Sequence, residues 1–263
     1  MTDTHHHLFF GGLAADSFGT REDLPPVVLL HGLTFDRRHW GPLLDELALK
    51  DPDRRIVAFD LPGHGESPRL DSYRADELVA ALHDAVTDAG LEAPVLVGHS
   101  AGGVLATIYA ATHPTRGVVN LDQPLLAGGF AALLRRVEPV LRSPDFGQVW
   151  EKLLAGMHIE LLPPAGRKLV EYATTPRQDL MLGYWDELLT VPTDELDARR
   201  ARELDAIRTN GVAYHHISGQ ALDPVYERWF RAAIPEAAIT VLPDSGHFPH
   251  LAHPAELAAI LAG

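Results

Sequence analysis

The 263-residue sequence contains no cysteine, and its positive charge is scarce, with 22 Lys and Arg against 36 Asp and Glu. The absence of cysteine excludes disulfides, thiolate metal ligands and cysteine nucleophiles. The formal net charge of −14 disfavours a nucleic-acid or anionic-membrane partner, because contacts to phosphate are made by clustered cations.

Long apolar runs are missing as well. No stretch approaches the roughly 18 apolar residues that span a bilayer, and the N-terminus lacks the basic start and apolar stretch of a secretory signal. We therefore expect a soluble cytoplasmic protein without a membrane partner. The histidines at His5 to His7 are not expected to form a functional site, because termini rarely do.

Hydrophobic residues make up 46% of the chain, enough for a sizeable core, and many stand in short runs. Short apolar runs bounded by turn residues are typical of strands buried on both faces. Six such runs are Val27 to Leu30, Ile56 to Phe59, Val95 to Val97, Val118 to Leu121, His215 to Ile217 and Ile239 to Leu242. Helical patterns between or after them are Arg74 to Ala89, Ala101 to His113 and Pro254 to Leu261. This alternation predicts an α/β fold with a doubly wound, mostly parallel sheet.

The alternation is interrupted once, after Pro124. From there to about Asp205 the chain carries leucines at helical spacing between repeated prolines, which predicts several short helices. We expect residues 1–124 and 206–263 to form the core and residues 125–205 to form a helical lid. An insertion at this point of a parallel sheet tends to lie over the strand ends where ligands bind. The alternative is a helical subdomain that only adds bulk.

The sharpest motif is Gly98-His99-Ser100-Ala101-Gly102, which follows a predicted strand and precedes a predicted helix. In such a strand-turn-helix the serine sits in a strained turn that exposes its hydroxyl, and the glycines allow the strand and helix backbones to approach closely. Ser100 is therefore the candidate nucleophile.

A serine hydroxyl needs a base to accept its proton during attack. Of the 15 histidines, His247 follows the last predicted strand, where a loop would carry it to the carboxyl edge of the sheet. The order of nucleophile first and histidine last fits this type of turn. We expect no metal or cofactor, since His215 and His216 are adjacent in a strand and point to opposite faces.

Attack on a carbonyl produces an oxyanion that needs preorganised donors. The N–H of Ala101 lies at the start of the elbow helix and would supply one. The second is expected from the turn His31-Gly32-Leu33 after the first predicted strand, with the N–H of Leu33 as the candidate and Thr34 as the alternative. Gly32 would let the backbone turn inward.

These motifs resemble the α/β-hydrolase-fold serine hydrolases. The resemblance runs from about Pro25 to the C-terminus and rests on four segments: His31-Gly32, the Asp-x-x-Gly-x-Gly-x-Ser pattern of Asp60, Gly63, Gly65 and Ser67, the elbow Gly98 to Gly102, and Gly246-His247. A looser similarity to zearalenone-type lactonases rests on Asn120 to Pro124, Gly246 to Pro249 and His253-Pro254.

The resemblance implies cleavage of a small-molecule carboxylic ester or lactone through an acyl-enzyme, with no cofactor. The same fold includes perhydrolases of the haloperoxidase type, C–C hydrolases, hydroxynitrile lyases and slow ligand-binding receptors, and these remain alternatives. Dehalogenases and epoxide hydrolases are disfavoured, because they carry an aspartate where this chain has Ser100. The oligomeric state does not follow from the sequence.

Two aspartates are candidates for the acid that orients the histidine. Asp223 lies in the loop that carries the acid in most of the family, but its spacing after Gly219 is one residue longer than usual. Asp122 directly follows the strand Val118 to Leu121, as the acid does in the lactonases. Each could instead cap a helix. We favour Asp122, with Asp223 as the alternative.

Candidate substrate-binding residues lie near these motifs or among the aromatic residues of the predicted lid: Gly32, Trp40, Tyr184, Trp185 and Phe248. The aromatic residues could equally be core, since large aromatics are usually buried. A leucine-rich lid on an anionic protein favours uncharged, largely apolar esters or lactones.

Overall fold

A computed structural model describes residues 6–263, and His5 lies outside this range. Eight strands form one sheet: β1 (His6–Phe10), β2 (Leu13–Phe18), β3 (Val27–Leu30), β4 (Ile56–Phe59), β5 (Val95–His99), β6 (Gly117–Leu121), β7 (Ala213–Ser218) and β8 (Ala238–Val241). Their spatial order is β1-β2-β4-β3-β5-β6-β7-β8. The pairs β1/β2 and β2/β4 are antiparallel and the other pairs are parallel, so the predicted doubly wound, mostly parallel sheet is confirmed.

Helices pack on both faces of the sheet. Three helices precede β6 in the chain: α1 (Gly41–Lys50), α2 (Ala75–Asp88) and α3 (Ala101–Thr112). Between β6 and β7 follow α4 (Gly128–Leu141), α5 (Gly147–Ala155), α6 (Pro164–Tyr172), α7 (Gln178–Tyr184), α8 (Asp186–Thr190) and α9 (Thr193–Thr209). The last three are α10 (Pro224–Ala233), α11 (Pro249–Ala252) and α12 (Pro254–Ala262). None of the helices described for residues 6–263 is long and apolar enough to cross a membrane.

The core consists of three apolar clusters. One joins the sheet to α2, α3, α9 and α10, and the second joins its other face to α1 and α12. The strands β3 and β4 are buried at every position, as their uninterrupted apolar sequences predict. Each fully buried leucine or valine contributes about 1.5–3 kcal/mol to folding. The third cluster lies at the carboxyl end of the sheet and includes residues of α4 to α8.

Residues 125–205, here called the inserted segment, are tied to loops at the carboxyl ends of the strands by hydrogen bonds. Tyr184 Oη donates to the carbonyl of Pro62 (2.9 Å), and Arg177 Nη1 donates to the carbonyl of Gly63 (2.7 Å). The N–H of Thr175 donates to the carbonyl of Thr34 (2.8 Å). The predicted boundary between residues 205 and 206 lies inside α9, which continues from the inserted segment along α3.

Candidate active site

Ser100 occupies a strained turn between β5 and α3. Its φ of 52° and ψ of −122° lie where residues other than glycine are rarely found, at a cost of order 1–3 kcal/mol. The flanking glycines explain why the turn forms: a Cβ on Gly98 would fall on the carbonyl oxygen of Gly102, and a Cβ on Gly102 would fall on that of Leu30. The strand and helix backbones therefore touch at this point, and Ser100 lies in the turn between them and lines the cavity described below.

His247 lies in the loop between β8 and α11 and is held from two sides. Its backbone N–H donates to the carbonyl of Met157 (3.0 Å), and its carbonyl accepts from His99 Nε2 (2.7 Å). Its Nδ1 lies 2.8 Å from Asp122 Oδ2. Because a carboxylate oxygen accepts, Nδ1 carries the proton and Nε2 is left to accept one.

Asp122 follows β6 directly, in a left-handed turn with φ of 53°. Its other oxygen, Oδ1, accepts from the N–H of Gly219 (3.0 Å), and its own N–H donates to the carbonyl of Ile217 (2.7 Å). Burial by itself raises the pKa of Asp122. The hydrogen bond and electrostatic interaction with His247, together with the hydrogen bond from the Gly219 N–H, outweigh burial and lower the pKa below its usual value. The carboxylate is therefore ionised and fixed in direction.

Asp223, the alternative acid, lies at the start of α10. Its Oδ1 accepts from the N–H groups of Val225 (2.8 Å) and Tyr226 (3.1 Å), which is the geometry of a helix N-cap. Its side chain is exposed and is not among those that line the cavity described below. The structure thus brings Asp122, and not Asp223, to His247.

The turn after β3 lies against the elbow. A Cβ on Gly32 would lie 3.2 Å from Ser100 Cβ and 3.0 Å from His99 Nδ1, so a side chain at Gly32 would crowd the serine. Within the described residues, the N–H groups of Leu33 and Ala101 have no protein acceptor. The N–H of Thr34 differs, because it donates to His64 Nε2 (3.0 Å). Two free backbone donors therefore flank Ser100.

Two buried histidines hold this turn in place. The N–H of Leu61 donates to His31 Nε2 (3.0 Å), and His31 Nδ1 donates to the carbonyl of Gly32 (2.8 Å). His64 repeats the pattern, since its Nε2 accepts from Thr34 and its Nδ1 donates to the carbonyl of Pro62 (3.1 Å). Burial lowers the pKa of both imidazoles, that of His64 to about 3, so both are neutral near pH 7 and bridge backbone groups.

A cavity of about 880 Å³ lies between the sheet edge and the inserted segment. Ser100, Ala101, Asp122 and His247 line one part of it. Most of the remaining wall is apolar: Leu33, Phe35, Leu105, Leu125, Phe130, Trp150, Met157 and Leu188 are among the lining residues. The volume suits a small to medium-sized organic molecule.

Of the predicted substrate-binding residues, Tyr184 and Trp185 line this cavity, and Gly32 lies beside Ser100. Two predictions are wrong. Trp40 is fully buried in the cluster under α1, where its ring lies 4.8 Å from that of His250. Phe248 is fully buried against Phe35, with ring centroids 5.6 Å apart. Both belong to core clusters and are not among the residues that line the cavity.

Arg200 of α9 is among the polar residues of the cavity wall that no sequence motif indicated. Leu196, Leu204 and Ile207 are buried on the same helix, and Arg200 is placed four residues from Leu196 and from Leu204. A charged residue in the middle of an apolar helical stripe was the signal that could have indicated it.

The chain belongs to the alpha/beta hydrolase family, whose model matches residues 27–260. It is similar to the 2-succinyl-6-hydroxy-2,4-cyclohexadiene-1-carboxylate synthase of Enterobacter sp. (strain 638), with 27% identity and 90% of each chain covered. It is also 36% identical over 122 residues to lipase LipV of Mycobacterium tuberculosis (strain ATCC 25618 / H37Rv), covering 46% of this chain and 45% of LipV.

Solved structures share the fold at lower sequence identity. One is AqDC, described as recognising and cleaving the ring of the Pseudomonas quinolone signal, with a TM-score of 0.80, 19% identity and coverage of 98% of this chain and 97% of that one. Another is a thioesterase domain from the curacin biosynthetic pathway, with a TM-score of 0.70, 23% identity and full coverage of both chains. At this identity the likeness concerns the fold alone.

Proposed function

We propose that the protein is a serine hydrolase that cleaves a carboxylic ester or lactone through an acyl-enzyme. The observation that carries the proposal is the 2.8 Å contact between His247 Nδ1 and Asp122 Oδ2 in the wall of a cavity that Ser100 also lines. This contact prepares Nε2 of His247 to accept a proton. A strained serine, a free imidazole nitrogen and two free backbone N–H groups are the parts that acyl transfer needs.

In the proposed reaction Ser100 Oγ attacks the substrate carbonyl while His247 Nε2 takes the hydroxyl proton. The N–H groups of Leu33 and Ala101 donate to the oxyanion, and the dipole of α3 adds to the stabilisation. His247 then gives the proton to the departing alcohol. A water molecule, activated by the same nitrogen, releases the acid and restores Ser100. Asp122 stays ionised and stabilises the imidazolium.

The proposed substrate is a small-molecule ester or lactone of largely apolar character. The apolar cavity wall supports this, and the inserted segment, which supplies Trp150, Met157 and Trp185 to that wall, is proposed to act as the lid. Burying apolar groups of a substrate against such a wall contributes roughly 25 cal/mol per Å² of area removed from water.

Substitution of the two reacting groups tests the proposal. Ser100→Ala and His247→Ala should each remove nearly all hydrolysis of 4-nitrophenyl butanoate and leave the melting temperature near that of the wild type, because neither side chain holds the core together. Ser143→Ala, at the end of α4 and outside the cavity lining, is the control and should keep full activity. Retained hydrolysis by Ser100→Ala with an unchanged melting curve would overturn the proposal.

A second candidate is cleavage of a C–C bond by the same groups. It is considered because the same fold includes C–C hydrolases and because the relative that aligns over 90% of both chains, at 27% identity, is named as a synthase and not as an esterase. Product analysis separates the two: a panel of aryl esters and lactones is compared with a panel of β-diketones. Strong C–C cleavage with negligible ester turnover would make this the function.

A further inference from the structure

Ser100, Asp122 and His247 are not anchored equally in the fold. His99, the last residue of β5, is the register partner of Leu121, the last residue of β6. Ser100 and Asp122 therefore follow two adjacent strands in the interior of the sheet. His247 instead lies in the loop after β8, the last strand in the order of the sheet. Because loops are more mobile than the elements they connect, the position of His247 depends on contacts from outside its own strand.

His99 supplies such a contact from the strand that leads to the nucleophile. Its side chain is fully buried, and its Nε2 donates to the carbonyl of His247 at 2.7 Å. The two imidazole rings lie against each other, with centroids 4.8 Å apart. The N–H of His247 donates to the carbonyl of Met157 at 3.0 Å. The peptide groups before and after the base are thus both held by hydrogen bonds.

The other edge of the His99 ring faces the oxyanion turn. A Cβ on Gly32 would lie 3.0 Å from His99 Nδ1, and Nδ1 has no hydrogen-bond partner within residues 6–263. Because a carbonyl oxygen only accepts, the ring proton is on Nε2. Burial, and after it the imidazoles of His250 and His247, lower the pKa of His99 well below its usual value, which keeps the ring neutral. A neutral, buried ring therefore stands between the turn of Gly32 and the loop of His247.

We propose that His99 is a positioning residue whose Nε2–H fixes the carbonyl of His247 and thereby the direction from His247 Nε2 to Ser100 Oγ. This inference rests on the proposed hydrolase function. His99 acts through His247, because it is not among the residues that line the cavity. A misplacement of about 1 Å costs roughly 10²-fold in rate. Loss of this hydrogen bond is therefore expected to lower kcat and to leave substrate binding nearly unchanged.

Matched substitutions at position 99 separate the hydrogen bond from the volume of the side chain. In His99→Gln the amide nitrogen stands as many bonds from Cβ as the imidazole Nε2 does, whereas His99→Met has the same length and no donor. His99→Met should lower kcat for 4-nitrophenyl butanoate roughly 10- to 100-fold, with KM within about threefold of the wild type. His99→Gln should restore kcat to within roughly threefold of the wild type, as a retained hydrogen bond requires.

Two further variants keep this test decisive. His250→Met removes another fully buried ring, 4.5 Å from that of His99, whose nitrogens have no partner in the described part of the chain. It should change the melting temperature and keep kcat. If His99→Met does not fold, His99→Asn replaces it, because the shorter amide stops short of the His247 carbonyl. Unchanged kcat without the donor, no recovery in folded His99→Gln, an equal loss in His250→Met, or a change confined to KM would overturn the inference.

Proton NMR of the Ser100→Ala protein separates this inference from the hydrolase proposal. The Nδ1–H of His247, which faces Asp122, should give a downfield resonance that His247→Ala removes. In the Ser100→Ala background, His99→Met should shift this resonance and speed its exchange with water, and His99→Gln should restore it. That pattern without ester turnover by the wild type would sink the hydrolase and keep the positioning role. Ester turnover with a resonance and a kcat that do not respond to His99→Met would keep the hydrolase and overturn the positioning role.

Discussion

Replacing Asp122 by asparagine changes one atom and is predicted to set the wrong tautomer at His247. The two oxygens of Asp122 have different partners: Oδ2 faces His247 Nδ1 at 2.8 Å and Oδ1 accepts from the Gly219 N–H at 3.0 Å. In the asparagine variant the amide oxygen is needed at Gly219, because an amide NH₂ cannot accept from that N–H. The NH₂ group then faces Nδ1, which must accept, and the proton moves to Nε2.

A proton on Nε2 prevents His247 from acting as the base for Ser100. The same change of tautomer in a serine protease lowers kcat about 10⁴-fold, which is about 5.5 kcal/mol in the activation barrier. We expect a loss of this order for Asp122→Asn in kcat for 4-nitrophenyl butanoate. The fold should persist, because the amide keeps the size of the side chain and the bond to Gly219.

Asp223→Asn is the matched control. Asparagine caps helices as well as aspartate does, so both kcat and the free energy of unfolding should stay near the wild-type values. Measuring kcat by stopped-flow or steady-state kinetics, and stability by thermal unfolding, for both variants shows which aspartate orients His247. A large loss of kcat confined to Asp223→Asn, or a loss below tenfold in Asp122→Asn, would refute the reasoning.

Two more predictions concern the oxyanion turn and α9. Gly32→Ala should lower kcat at least tenfold with a smaller effect on melting, because its Cβ would lie 3.2 Å from Ser100 Cβ; an unchanged kcat would show that the turn has room. Burial raises the pKa of Glu203 from 4.5 to about 7, so its contribution to stability is present below pH 4.5 and is lost as the pH rises through 7. The difference corresponds to about 3 kcal/mol, and Glu203→Gln should flatten the dependence of unfolding free energy on pH in this range. Parallel curves for the two proteins would contradict the assignment.

The sheet shows what the sequence could and could not predict. Six strands were predicted from apolar runs, but β1 and β2 were missed although a signal was present. Gly11 and Gly12 separate them, and both glycines have positive φ, 53° and 85°, as the tight turn of a hairpin requires. Antiparallel strands at the edge of a sheet alternate in polarity and give a weaker pattern than buried parallel ones.

At the candidate site, the sequence indicated which loops meet but not which way each side chain points. Parallel strands carry their loops to one edge, so the elbow and the His247 loop were expected to converge. Trp40 follows the His31-Gly32 turn and Phe248 follows His247 in the sequence, yet both side chains pack into the core. Arg200 is far from every motif in the sequence and is brought to the cavity wall by the packing of α9 against α3 and α4.

Covalent labelling tests the central claim most directly. The protein is incubated with a 4-nitrophenyl alkylphosphonate, and the adduct is located by intact mass and peptide mapping. We predict one phosphonyl group per chain, attached to Ser100, with release of one equivalent of 4-nitrophenol and parallel loss of esterase activity. Ser100→Ala should stay unlabelled, and Asp223→Asn should react like the wild type. An adduct on another residue, or ester turnover that continues in protein unlabelled at Ser100 after excess reagent, would contradict the account.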